Sequence, residues 1–188
     1  MPVSRNHTSS YLDHLACSDC GEVHAPDTLQ TICAKCGAPL LARYALDAAR
    51  AELDRDRLAA RSEGLWNWRE LLPVRDPAHI LHLGEGGTPL LRARHVGETL
   101  GLAKLWVKDE GLNPTGSFKA RGMAAAVSRA IELGAREFVV PTAGNAGGAA
   151  SAYAARGGAT VHVYMPQDAP LANQAQVRST GGEVILVD

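Results

Sequence analysis

Between residues 104 and 187, short apolar runs rich in Val, Ile and Phe alternate with longer alanine-rich stretches, and this alternation constrains the fold more than any other feature. The spacing predicts strands over 104–109, 137–141, 160–165 and 183–187, with helices over 117–134, 145–156 and 170–180 between them. Strands separated by helices of this length form right-handed βαβ units. The expected fold class is therefore α/β, a mostly parallel sheet with flanking helices. In such sheets a ligand sits beyond the carboxyl ends of the strands, which directs attention to the turns after Asp109, Pro141 and Met165. The glycines agree with that direction: only Gly21, Gly37 and Gly64, of 19 in all, precede residue 80. Glycine serves where the backbone turns with positive φ or approaches something closely, so the chemistry is expected after residue 80.

The N-terminal part has a different logic. A chain of 188 residues suits one ordinary domain with a small appendage. All four cysteines, Cys17, Cys20, Cys33 and Cys36, fall in two Cys-x-x-Cys pairs, each followed by glycine. Four thiolates at this spacing suit tetrahedral zinc, and a closed four-sulfur site leaves no position for substrate, so a structural zinc is expected. Two disulfides are the alternative, opposed by the lack of a secretion signal ahead of the pairs. His24 lies between the pairs and could substitute as a ligand, though four cysteines suffice. The expected organisation is a disordered tail over 1–12, a zinc-ribbon-like module over 13–45, a helical connector over 46–80, and the strand–helix fold over 81–188. A solvated helix is predicted over 46–63, ended by Gly64, and Trp66 and Trp68 are read as core or interface filling.

The 19 Lys and Arg residues nearly balance the 20 Asp and Glu, leaving a formal charge of -1. This excludes nucleic-acid or membrane-surface binding held by bulk electrostatics. No apolar run approaches the ~20 residues of a membrane span, and a cytoplasmic location is expected.

Two turns carry groups that could do chemistry. Pro114 and Gly116 form a turn, Ser117 is a candidate N-cap, and Lys119 then falls in the first turn of the following helix. A helix N-terminus is positive and disfavours an ammonium there, as a Schiff-base nucleophile requires; a surface lysine that tolerates the dipole is the plain alternative. In the second turn, Thr142, Ala143, Gly144, Asn145 and Ala146 are small residues opening a helix. Their backbone amides form a ready cradle for carboxylate or phosphate, unless the turn is only a glycine-softened cap. The spacing is neither that of a Walker loop nor that of a dinucleotide fingerprint. Arg121 either pairs with an acidic neighbour or steers an anionic ligand. His162, between Val161 and Val163, is read as a satisfied core or edge histidine.

Taken together, Gly84-Glu85-Gly86-Gly87-Thr88-Pro89-Leu90, Lys108-Asp109-Glu110 with the 113–122 segment, and the loop from Thr142 to Gly148 resemble threonine synthase, a member of the fold-type II pyridoxal-phosphate enzymes. The four-cysteine segment resembles the N-terminal ribbon of many threonine synthases. The resemblance covers residues 80–188 and implies the first part of a tryptophan synthase β-subunit-like fold. It implies that Lys119 binds pyridoxal phosphate covalently and shuttles protons, and that Asn145 hydrogen-bonds the phenolic oxygen of the cofactor. Thr142, Ala143, Gly144 and Ala146 would hold the substrate carboxylate. The implied reaction converts O-phospho-L-homoserine and water to L-threonine and phosphate, with a serine or threonine dehydratase, another β-replacing enzyme, or a non-catalytic zinc-binding remnant as alternatives. Ala120 and Ala146 depart from the Asp and the hydroxyl residue that many relatives carry there. The resemblance further implies a homodimer for the full-length enzyme, and a second half, with a glycine-rich phosphate loop, beyond residue 188; the chain as written is expected to be inactive.

Overall fold

The structure, a computed structural model, describes residues 10–61 and 64–188. The chain opens with an antiparallel sheet of β1 (Leu12–Cys17), β2 (Val23–His24) and β3 (Leu40–Tyr44), in the order β2-β1-β3. Two helices follow, α1 (Leu46–Glu52) and α2 (Arg55–Ala59). The single helix expected over 46–63 is thus two, and residues 62 and 63 lie outside the described residues. The break is local: Leu53 is extended, and the Asp54 side chain caps α2 by accepting from the Arg57 N–H at 2.8 Å.

Of the tail expected over 1–12, residues 1–9 lie outside the described residues and the rest is structured. Ser10 is buried and its hydroxyl donates to the Leu72 carbonyl, and Leu12 begins β1. Arg61 pairs with Glu70 through both guanidinium nitrogens at 2.7 and 2.9 Å. Trp66 packs against the core, whereas Trp68 is half exposed.

Next come β4 (Leu90–Arg92), α3 (Arg94–Thr99) and β5 (Trp106–Lys108). The strand expected over 104–109 is shorter and does not join the parallel sheet; it pairs antiparallel with β4. The short α3 explains this. It closes back on itself, Leu102 N–H to Gly97 O at 2.8 Å, and returns the chain alongside β4 instead of carrying it across a sheet.

From there the alternation holds: α4 (Lys119–Glu132), β6 (Glu137–Pro141), α5 (Asn145–Arg156), β7 (Thr160–Pro166), α6 (Leu171–Ser179) and β8 (Glu183–Val187). The strands form a parallel sheet in the order β6-β7-β8. Period-two alternation along β7 sends Val161, Val163 and Met165 to one face, where they are buried with Ala150 and Ala154 of α5 and Val177 of α6. α4 buries Ala120, Ala124, Val127 and Ile131, a helical stripe, against Tyr153 of α5. α4, α5 and the sheet therefore form one layered core.

His162 sits on the opposite face of β7. Its Nδ1 lies 2.6 Å from Glu183 of β8 and its Nε2 2.8 Å from Glu137 of β6, so it is satisfied on both sides. Glu183 foremost, then Glu137, raise its pKa. A value raised on folding means that the contribution to stability is complete below the unfolded value and is lost as pH rises through the folded one. The thermal midpoint is expected to fall modestly between pH 6 and pH 9, and His162→Gln to flatten that slope in pH-resolved melting; equal slopes would refute the assignment.

Candidate active site

The topology gathers the two singled-out turns at one end of the layered core. α4 runs towards β6, which returns to Pro141 and the N-terminus of α5, so Lys119 and Asn145 each open a helix at the carboxyl end of the parallel strands. A side chain from a third element lies between the lysine turn and the start of α5. Gln176 of α6 donates to the Thr115 carbonyl at 3.0 Å and passes over the first turns of α5. A Cβ on Gly148 would lie 2.2 Å from its Oε1, so only glycine there lets Gln176 reach across. An alanine would push Gln176 aside and release the Thr115 carbonyl.

Lys119 is the first residue of α4 and half-buried. Its Nζ lies 4.8 Å from the centroid of the Phe118 ring and has no carboxylate partner among the described residues. Ser117 does not sit at the N-cap position, which Phe118 occupies in helical geometry, but its hydroxyl still accepts from the Lys119 N–H at 3.3 Å. Thr115 is 6% exposed and its Oγ1 is buried without a partner. A buried hydroxyl left open in the lysine turn fits a site that takes a polar ligand.

In the second turn, Gly144 is extended and α5 has no side-chain cap. The Thr142 N–H donates to Tyr164 O at 2.9 Å and the Gly144 N–H to Thr142 Oγ1 at 3.1 Å, so these two amides are already engaged. Ala143, Asn145 and Ala146 keep N–H groups without an intramolecular partner among the described residues, at the positive end of a 12-residue helix. Asn173 fixes the loop by donating to the Ala143 carbonyl at 2.8 Å. The Asn145 side chain is exposed, as is Ala143, while Thr142, Gly144 and Ala146 are half-buried.

A third segment frames the lysine turn. The glycine-rich loop at 84–88 is anchored by Glu85, fully buried, whose carboxylate accepts from Trp66 Nε1 at 2.7 Å, Tyr153 OH at 2.6 Å and Leu83 N–H at 3.0 Å. Burial pushes this carboxyl up, but the Tyr153 hydroxyl and the Leu83 N–H outweigh it and leave the pKa below the ordinary glutamate value. Gly86 has φ +94°, and a Cβ there would lie 2.4 Å from the Leu65 nitrogen, so the loop passes too close for any side chain. The Gly86 N–H donates to Asn113 Oδ1 at 3.1 Å. Arg121, for which two roles were open, pairs with Glu110 at 2.6 and 2.8 Å. Glu85, Glu110 and Asn113 lie in the segments that carry the resemblance, but nothing in the sequence assigned a role to them or to Gln176, because their partners come from other segments.

The four cysteines converge as their spacing requires. Their sulfur atoms lie within 4.8 Å of one another, with Cys17 to Cys36 at 3.3 Å and Cys20 to Cys33 at 3.7 Å. Tetrahedral zinc–thiolate geometry places sulfurs about 3.8 Å apart, whereas a disulfide needs about 2 Å. The Asp19 N–H, against burial and helped by the Cys20 N–H, lowers the Cys17 thiol. His24 is not among the converging ligand atoms, although its ring bears on the Cys33 thiol from beside the cluster.

Comparison with known proteins follows the same lines. The family described as "Pyridoxal-phosphate dependent enzyme" matches residues 81–188, more than half of the chain. The threonine synthase of Methanocaldococcus jannaschii is 38% identical over 172 residues, covering 91% of this chain and 42% of that protein. The threonine synthase of Methanosarcina acetivorans is 37% identical over 176 residues, covering 93% and 42%. The chain thus spans about two fifths of the length of these curated relatives. Among solved structures, a pyridoxal 5'-phosphate-dependent aspartate racemase aligns with a TM-score of 0.52 at 29% identity, over 54% of this chain and 32% of that one. Because the matched residues include the glycine-rich loop, the Lys119 turn and the open end of α5, the chain belongs to the pyridoxal-phosphate dependent enzymes.

Proposed function

We propose that this chain forms the lysine-bearing wall of a threonine synthase active site, a carbon–oxygen lyase that converts O-phospho-L-homoserine and water to L-threonine and phosphate. The observation that carries the reading is the placement of the Lys119 Nζ, without a carboxylate partner among the described residues, and of the uncapped end of α5 at the same end of the parallel sheet. The likeness to threonine synthases over nine tenths of the chain supports the substrate class.

Pyridoxal phosphate, when bound, supplies the electron sink for charge that develops next to the amino-acid carboxylate. Lys119 Nζ would hold the cofactor through its aldehyde and would move protons at the reacting carbons. The Asn145 amide would hydrogen-bond the phenolic oxygen and keep the ring in place. The free N–H groups of Ala143 and Ala146 bind the substrate carboxylate, with the Asn145 N–H beside them, and Thr142 and Gly144 shape that cradle. The four cysteines, Cys17, Cys20, Cys33 and Cys36, hold a structural zinc that takes no part in the reaction.

Borohydride reduction in the presence of pyridoxal phosphate, followed by peptide mapping, tests the reading directly. Only four lysines compete for the label, Lys35, Lys104, Lys108 and Lys119. The adduct is expected on Lys119, and O-phospho-L-homoserine is expected to suppress it more strongly than L-serine by competing for the cofactor. Label spread over all four lysines would overturn the cofactor assignment; stronger suppression by L-serine would reassign the substrate class to β-replacing or dehydratase chemistry.

A further inference from the structure

We propose that Glu110 and Arg121 are positioning residues for Lys119: their paired side chains, closed by Thr88 and Asn113, lock the turn that presents the lysine against the glycine-rich loop. The proposal rests on the cofactor reading for what Lys119 does, but the lock itself is a property of this chain.

The Glu110 carboxylate is saturated. Oε1 accepts from Thr88 Oγ1 at 2.5 Å and from Arg121 Nη2 at 2.8 Å; Oε2 accepts from Arg121 Nε at 2.6 Å and Asn113 Nδ2 at 3.0 Å. Four donors from three segments fill the four acceptor positions of one carboxylate. Arg121 Nη2 also reaches Thr88 Oγ1 at 3.1 Å, and Lys108 donates to the Thr88 carbonyl. Asn113 holds both sides: its side chain accepts from the Gly86 N–H, and its carbonyl accepts from the Gly116 N–H at 2.8 Å, closing the turn that leads to Ser117. The glycine-rich loop, the turn at 110–116 and the first turn of α4 are therefore tied to a single carboxylate.

Two features make this arrangement bear on Lys119. First, α4 has no side-chain cap at Phe118, and its first turn is closed by the Ser117 hydroxyl on the Lys119 N–H and by the backbone bond from the Arg121 N–H to the Phe118 carbonyl; the bidentate pair two residues beyond Lys119 adds the side-chain tie to the neighbouring segments. Second, the guanidinium directs its Nε and Nη2 hydrogens at Glu110 and Thr88, with its charge matched, which removes Arg121 from the role of an anion ligand. Arg121 chiefly, then Thr88, hold the Glu110 carboxyl down at about 2, so the pair stays ionic throughout the working pH range. Glu110 and Arg121 are 23% and 30% exposed in their side chains and line an open cleft, so the pair matters through geometry more than through net stability.

The test uses the 188-residue chain and the variants Arg121→Met, Arg121→Lys, Glu110→Gln, Thr88→Val and the Glu110→Gln/Arg121→Met double. Selective pyridoxal-phosphate trapping at Lys119 is expected to fall at least tenfold in Arg121→Met and Glu110→Gln, with the double no worse than the worse single because both break one network. Arg121→Lys should restore part of it, since a point charge meets one oxygen but not two. Amide exchange across 113–121 is expected to rise tenfold in the same variants while β6–β8 stays protected. Trapping and exchange both within twofold of wild type in folded Arg121→Met and Glu110→Gln would overturn the lock. If wild-type protein is not labelled selectively at Lys119, the cofactor reading fails, and exchange across 113–121 alone decides the lock. Thr88→Val, which keeps the volume, gives the answer should the charge variants not fold.

Discussion

Chelating the zinc proposed at Cys17, Cys20, Cys33 and Cys36 is expected to melt the β1–β3 sheet while β6–β8 stays folded. The module has little else to hold it. Among its described residues, only Leu12, Cys17 and Cys33 are buried apolar side chains, whereas Val23, Leu29 and Ile32 are each more than half exposed. An apolar core of that size cannot offset the backbone entropy of some thirty residues, and structural zinc sites bind with an apparent ~10–16 kcal/mol that is in effect folding free energy. The melt should reach α4. Asp27, between the two Cys-x-x-Cys pairs, accepts from Arg75 at 2.6 Å and from Arg129 of α4 at 2.5 Å, and Arg129 also donates to the Pro26 carbonyl at 2.8 Å. Arg129 is only 9% exposed, so losing both partners leaves a buried cation with Glu132 alone. Native mass spectrometry is expected to find one zinc per chain, and hydrogen exchange with and without chelator to show loss of protection over 12–44 and a weaker loss at the C-terminal end of α4. Cys33→Ser should reproduce the chelated state. Unchanged protection after complete zinc removal, or a mass showing two disulfides, would refute the assignment.

What was legible in the sequence follows from how local each determinant is. β6, α5 and β8 have the bounds that period and punctuation predict, because Gly134, Gly144, Gly157 and Gly182 flank segments whose own side chains decide the conformation. The Cys-x-x-Cys pairs were legible for the same reason. The split of the 46–63 helix hinged on one cap, Asp54, in a stretch whose charge pattern favours helix throughout. The antiparallel pairing of β5 depended on how α3 folds back, which no period in 104–109 encodes. At the site, Lys119 and the small residues at 142–146 stood out through their position at helix starts. The groups that hold them in place were less legible: Arg121 was noticed but left with two roles and finds Thr88 at a separation of 33 residues, while Gln176 finds Thr115 at 61 and Glu85 finds Tyr153 at 68. Residues that act can be read from local chemistry; residues that position them are defined by contacts that exist only after folding.

Glu85 is the clearest example of such a residue, and its replacement by alanine is expected to destabilise the chain by about 3 kcal/mol or more. The cost has two parts. Removing the carboxylate leaves the Trp66 indole N–H, the Tyr153 hydroxyl and the Leu83 N–H facing a cavity, at about 1–3 kcal/mol for each donor left buried without an acceptor. The empty volume adds a smaller packing loss. Tyr153→Phe removes one bond to a charged acceptor and should cost about 1.5–3 kcal/mol. The two variants share the 2.6 Å bond between them, so their effects should not add. The pH dependence distinguishes the charge from the shape. The folded carboxyl lies below its unfolded value, so its contribution is complete above the ordinary glutamate range and is lost as pH falls through the folded value. The stability gap between wild type and Glu85→Gln should therefore be wide at pH 7 and narrow at pH 3. Urea unfolding at both pH values measures it; a Glu85→Ala chain within about 1 kcal/mol of wild type at pH 7 would show that the donors find water instead, and that the glycine-rich loop is held by its backbone contacts with Leu65 and Asn113 alone.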